Sequence, residues 1–162
     1  MDRSPSDIRA PIRAGDTVSD EDAERIFARV TACTLARSEW THPAHLVFAA
    51  VLLQREGLAG AERKMPDMIR AYNISVGTPN NDSEGYHHTI TLFFLRRIDA
   101  FFATGARANM ERARGVGADA TRLVASPLAD PEYLLAFYTK ERLFSLAARR
   151  AWVGPDLEPS AD

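Results

Sequence analysis

The residues best suited to chemistry are four histidines, which lie in two short segments of the chain. Residues 41–46 read Thr-His-Pro-Ala-His-Leu, and residues 85–91 read Gly-Tyr-His-His-Thr-Ile-Thr. A neutral imidazole is a common ligand for zinc and iron, and it can also act as a general acid or base. The placement therefore predicts a pocket at which the two segments meet.

One interpretation is a metal site with His42, His45 and His87 as ligands of one divalent ion, zinc or iron. His42 and His45 are three positions apart at a predicted helix start, so both side chains can reach one point. Helical bundles build metal sites by adding a ligand from a second helix, here His87. Glu84 stands three residues before His87, a spacing used by carboxylate-bridged metal helices, and Glu39 lies close to His42. Either glutamate could be the fourth ligand or the general base, which predicts a metal-dependent enzyme acting on a small molecule.

Two other interpretations need no metal. The histidines could be structural, with His42 and His45 capping a helix and His87 hydrogen-bonded in the core. Alternatively, the positive end of the helix that begins near Pro43 would keep His45 neutral as a base, or hold an anion. His88 adjoins His87 and would point about 100° away on a helix, so it is not expected to share an ion with it.

Four further residues are candidates for binding a small-molecule ligand: Trp40, Asn73, Asn80 and Tyr86. Trp40 could form a wall of the pocket, and packing onto the following helix is its other interpretation. The amide and hydroxyl groups of the others could line the pocket. For Asn80, turn formation is the alternative.

These motifs resemble those of a family of small bacterial helical proteins of uncharacterised activity. The resemblance rests on Trp-Thr-His-Pro-Ala-His-Leu at 40–46, Tyr-Asn at 72–73 with Gly-Thr-Pro-Asn at 77–80, and the Gly-Tyr-His segment at 85–91. It covers residues 40–102 and implies that the motifs surround one pocket, without implying a reaction. The family pattern usually has an acid where this chain has His88.

Composition excludes several classes of protein. The 162 residues fit one domain, and the formal net charge of −2 gives no reason to expect nucleic-acid binding. The arginine pairs at 96–97 and 149–150 are interpreted as solvated helix edges. The single cysteine, Cys33, excludes an intrachain disulfide, and neither a secretory signal nor a membrane-spanning apolar run is evident. We expect a cytoplasmic protein with no membrane partner.

Hydrophobic periodicity predicts an all-α, single-domain bundle of about six to seven helices. Residues 1–18 and 154–162 are expected to be flexible ends around a helical domain at 19–153. The predicted helices span about 19–35, 43–57, 58–74 with an interruption or kink at Pro66, 83–102 as a central buried helix, 107–114, 118–125 and 130–152, in which Thr139 could cap the helix again. The last could offer an apolar face for a protein partner or a homodimer.

Overall fold

The chain folds into an all-α bundle. A computed structural model describes residues 9–104 and 115–159, so the helix expected at 107–114 lies outside the described residues. The described part contains six α-helices and no strand: α1 (Asp20–Thr31), α2 (His42–Ser75), α3 (His88–Ala103), α4 (Val116–Val124), α5 (Lys140–Leu143) and α6 (Leu146–Arg150). Short 3-10 turns occupy Arg37–Glu39, Pro127–Ala129 and Tyr133–Ala136.

Helix α1 begins where the sequence predicts. The side chain of Ser19 caps the helix by accepting a hydrogen bond from the backbone N–H of Asp22. The acids in the first turn, Asp20 to Asp22, lie at the positive end of the helix dipole. Ile26, Phe27 and Val30 then form the buried face.

Helix α2 is the centre of the bundle and packs against α1, α3 and α4. Its first half is buried almost without interruption from Ala44 to Leu53. The expected break at Gly57 is present, because this glycine has a φ of 67° and divides the helix into two segments. The kink expected at Pro66 is absent, because the backbone angles there remain helical.

Helix α3 begins four or five residues later than predicted. The expected cap was Ser83 or Asp82, but His87 is the N-cap and its side chain accepts from the backbone N–H of Ile90. Gly85 has a φ of 79°, outside the helical region, and this prevents the helix from starting earlier. The Oδ1 atom of Asn81 also accepts from the backbone N–H groups of residues 83 and 84, which closes a turn rather than a helix.

The C-terminal part does not form one helix over 130–152, and Thr139, the expected position of a second cap, does begin a new helix there. It consists of 3-10 turns followed by α5 and α6, which are capped by Thr139 and Ser145. Hydroxyl side chains at these positions accept from backbone N–H groups and restart the helix each time. A single apolar helix face for a partner is therefore not formed by this segment.

Parts of both chain ends lie against the bundle. In residues 9–18, the N–H of Gly15 donates to the carbonyl of Val124, and the N–H of Val18 donates to the Thr121 hydroxyl. Near the other end, the N–H of Asp156 donates to the Phe137 carbonyl. The expectation of flexible ends came from composition, which does not reveal these backbone contacts. None of the helices in the described ranges is long and apolar enough to cross a bilayer.

Candidate functional site

His42 joins the start of α2 to the C-terminal segment. Its Nε2 lies 2.9 Å from the carbonyl oxygen of Leu128, so Nε2 carries a proton and donates it to this bond. The ring also meets Phe94 of α3 edge-on, with 4.8 Å between ring centroids. Burial lowers the pKa of His42, which keeps the imidazole neutral near pH 7. His42 therefore connects three parts of the bundle.

His45 lies one turn further along α2, against the indole of Trp40. The two ring centroids are 3.8 Å apart. The Nε2 atom of His45 is shielded from solvent and has no hydrogen-bond partner among the described residues. Burial, with a smaller contribution from the nearby His42, lowers the pKa of His45 to about 3. His45 is thus a neutral imidazole that packs closely against Trp40, while its Nε2 makes no hydrogen bond within the described residues.

Glu39 is a buried carboxylate, only 2% exposed. Its Oε1 accepts a hydrogen bond of 2.8 Å from the guanidinium of Arg25 on α1. Its Oε2 and the Nε of Arg25 make no hydrogen bond among the described residues, although Nε lies 4.0 Å from the carboxylate of Asp22. The pair holds the 3-10 turn before α2 against α1, and removing one partner would leave a buried charge uncompensated.

A cleft of about 430 Å³ lies beside this turn. Arg25 and residues 9–12 contribute to its lining, and the carbonyl of Ile12 accepts a hydrogen bond from the Thr41 hydroxyl. Asp22 lies in the cleft and pairs with the guanidinium of Arg9 at 3.1 Å. The charged groups that line this cleft thus largely neutralise each other.

His87 uses both ring nitrogens in the fold. Its Nδ1 accepts from the N–H of Ile90, and its Nε2 donates to the carbonyl of Leu143 at 2.9 Å. Burial lowers its pKa as well. His88, half-buried beside it, lies 2.9 Å from the Tyr86 hydroxyl through Nδ1.

Asn73, Asn80 and Tyr86 form a cross-link rather than a pocket wall. The Oδ1 of Asn80 accepts from the side chain of Asn73 and from the backbone N–H of Tyr86, and its Nδ2 donates to the Arg70 carbonyl. The network fastens the loop after α2 to the end of that helix. Gly85 fits this network because a Cβ there would lie 2.1 Å from the carbonyl oxygen of Pro79.

The residues proposed as metal ligands do not come together as a three-ligand group. Among residues 9–104 and 115–159, no set of three or more His, Cys, Asp or Glu side chains is placed to hold a metal ion. Two of the three imidazoles already donate through Nε2 to backbone carbonyls. Glu84 is exposed and, like His87, precedes α3, so the Glu-x-x-His spacing does not fall on a helix. These residues therefore do not fit the expected zinc or iron site.

A second pocket, of about 220 Å³, lies between α3 and the 3-10 turn at Pro127–Ala129. Leu128, whose carbonyl His42 fixes, forms part of its wall, and Arg97 of α3 lies at its edge. We interpreted Arg97 from the sequence as part of a solvated helix edge. Its position in the sequence indicates a different role. Arg97 stands four residues after Phe93 and four before Phe101, so it shares a helix face with both aromatic rings.

Comparison with known proteins gives no relative for this arrangement. No family model matches the chain, no curated protein shows significant sequence similarity, and no solved structure shows significant structural similarity.

Proposed function

We propose that this protein is a non-catalytic helical module that binds a small molecule beside the start of α2, with its motif histidines acting as structural clamps. The observation that carries this proposal is the bonding of His42 and His87. Each donates through Nε2 to a backbone carbonyl of the C-terminal segment, at Leu128 and Leu143. A ring nitrogen used in this way is not free to bind a metal or to accept a proton from a substrate.

The cavities support a binding role. One cavity, of about 430 Å³, lies between α1 and residues 9–18. The other, of about 220 Å³, lies beside Leu128. Small-molecule sites are usually concave and preformed, with a few fixed polar groups that orient the ligand. The clamps at His42 and His87 would keep the walls of such a site rigid.

The alternative is a metal-dependent enzyme that uses zinc or iron. The observation in its favour is the shielded Nε2 of His45, because a buried polar atom without a partner in the described structure calls for an explanation. In this alternative, His45 would be the ligand around which the others rearrange.

One experiment distinguishes the two functions. Thermal unfolding of the wild-type protein is followed with a panel of small organic acids, amines and neutral compounds, and separately with zinc and iron(II). The matched variant is His45→Phe, which keeps an aromatic ring against Trp40 and removes both nitrogens. We expect at least one class of organic compound to raise the Tm saturably in both proteins, since ligand binding stabilises the folded state.

Two outcomes would overturn the proposal. The first is a stoichiometric rise in Tm with zinc or iron(II) that His45→Phe abolishes, which would favour the metal-dependent enzyme. The second is a complete lack of response to every compound in the panel.

A further inference from the structure

We infer that the 220 Å³ pocket beside Leu128 binds a small amphipathic carboxylate, with the carboxylate on Arg97 and the apolar part between α3 and the 3-10 turn at Pro127–Ala129. This inference rests on the proposed binding function and names its site and ligand class. It is carried by the combination of an apolar cavity with a guanidinium that has no acidic partner among residues 9–104 and 115–159.

The walls of the pocket are mainly apolar. Phe101 of α3, Leu128 and Tyr133 provide aromatic and aliphatic surface. Ser126 and Thr104 add two hydroxyl groups, and none of the described residues that line the pocket is acidic. A ligand here gains most from burying a hydrocarbon group.

Arg97 supplies the only lining charge from the described residues. Its guanidinium lies over the ring of Phe137, 4.2 Å from the centroid, and 5.3 Å from that of Phe93. None of the described carboxylates forms an ion pair with it, whereas the adjacent Arg96 pairs with Glu62 at 2.6 Å. Stacking occupies the face of a guanidinium and leaves its N–H groups in the plane free to donate. A carboxylate is the small group that accepts two parallel hydrogen bonds from that edge.

The size of the cavity limits the ligand. A cavity of roughly 150 Å³ with apolar walls holds a benzene molecule. At about 220 Å³, the pocket accommodates an aryl carboxylate or a medium-chain fatty acid, but not a nucleotide or a long acyl chain.

His42 is a positioning residue for this pocket. Its bond to the Leu128 carbonyl fixes one wall, and its contact with Phe94 ties that wall to α3, which also carries Arg97. His42 therefore acts on the proposed site through Leu128 and does not touch the ligand itself.

Calorimetric titration with octanoate, benzoate and the uncharged analogue octanol tests this inference. We expect octanoate to bind more tightly than octanol, because only the acid pairs with Arg97. In Arg97→Met, which keeps a flexible apolar chain over Phe137, octanoate affinity should fall roughly tenfold or more while octanol affinity stays the same. Arg96→Met is the matched control and should leave octanoate affinity unchanged.

A second variant keeps the test independent of any folding defect in Arg97→Met. Ala100 is exposed at the pocket, so Ala100→Phe fills the cavity without disturbing the core. We expect it to abolish binding of both octanoate and octanol while the Tm stays near the wild-type value.

The inference is overturned if octanoate binds Arg97→Met as tightly as the wild type, or if octanol binds as tightly as octanoate. It also fails if none of these three probes binds while other compounds in the wider panel do, a result that would leave the proposed binding function standing. Absence of binding by every compound would overturn both.

Discussion

His42 and Leu128 are joined by a hydrogen bond that spans 86 positions of the sequence, with 2.9 Å between Nε2 and the carbonyl oxygen. The bond holds the 3-10 turn at Pro127–Ala129 against the start of the central helix. It also gives His42 a structural role, because its donor satisfies a carbonyl that no helix ladder uses. A polar group in this setting is costly to leave without a partner.

We therefore expect His42→Ala to destabilise the fold by about 1–3 kcal/mol, because the Leu128 carbonyl would lose its donor and the Phe94 ring a neighbour. Urea unfolding followed by circular dichroism measures this. His88→Ala is the control, since His88 bonds only to the nearby Tyr86 side chain and should cost clearly less. Equal losses of unfolding free energy in His42→Ala and His88→Ala would contradict the structural role of the His42–Leu128 bond.

The buried pair of Arg25 and Glu39 predicts a strongly non-additive double-mutant cycle. Arg25→Met alone should cost about 3–5 kcal/mol, because Glu39 would remain as a buried charge without its cation. Arg25→Met combined with Glu39→Leu should recover most of that loss, since no charge would then be buried. Unfolding free energies of the four proteins test this prediction.

A matched control for the cycle is the pair of Arg150 and Asp82, whose side chains are 62% and 61% exposed. Breaking this pair with Arg150→Met should cost far less than Arg25→Met, because solvent screens charges that are this exposed. If Arg25→Met is equally mild, Glu39 does not depend on its ion pair for stability.

Acid should destabilise the protein through its buried neutral histidines. Burial lowers the pKa of His45 to about 3 in the folded state, against an ordinary value of 6.5. Because the unfolded chain binds the proton more readily, the stability from this group is fully present above pH 6.5. It is lost as the pH falls toward about 3, by roughly 1.4 kcal/mol per pH unit.

The variant His45→Phe isolates this effect. Its unfolding free energy should fall less steeply than that of the wild type between neutral pH and about pH 4, since it lacks the titrating ring. The carboxylates contribute equally to both proteins and cancel in the comparison. Parallel pH profiles would show that His45 does not carry the acid sensitivity.

Gly85 is predicted to tolerate alanine less well than Gly77. An alanine there would have a φ near 79° and a Cβ 2.1 Å from the Pro79 carbonyl oxygen, so the Asn80 cross-link would have to move. Gly77→Ala is the control, since Gly77 has a φ of 77° with no other atom close to its Cβ position. We expect Gly77→Ala to cost about 1 kcal/mol from backbone strain alone and Gly85→Ala to cost at least twice as much, as measured by the shift in Tm. Similar shifts would mean that the contacts with Pro79 and Asn80 are easily relieved.

The sequence indicated which residues could do chemistry but not what each of them does. Glu39, Trp40, His42 and His45 do lie around one turn, as their proximity in the sequence indicates. Asn80 illustrates the limit, because turn formation and ligand binding use the same amide group and only its three partners decide between them. The pocket edge formed by Arg97 was missed because an arginine beside aromatic residues is equally typical of an exposed helix.

The sequence by itself determined the all-α class, the start of α1 at Ser19 and the break at Gly57, because capping, periodicity and backbone freedom act over a few neighbouring residues. The tertiary structure alone decided what the histidines do. The partners of His42 and His87 are backbone carbonyls of distant residues, and every residue has such a carbonyl, so no side-chain pattern marks them in advance. It also decided where the segment after α4 packs, because the 3-10 turn at Pro127–Ala129 contacts α2 and α3, and α6 contacts α3.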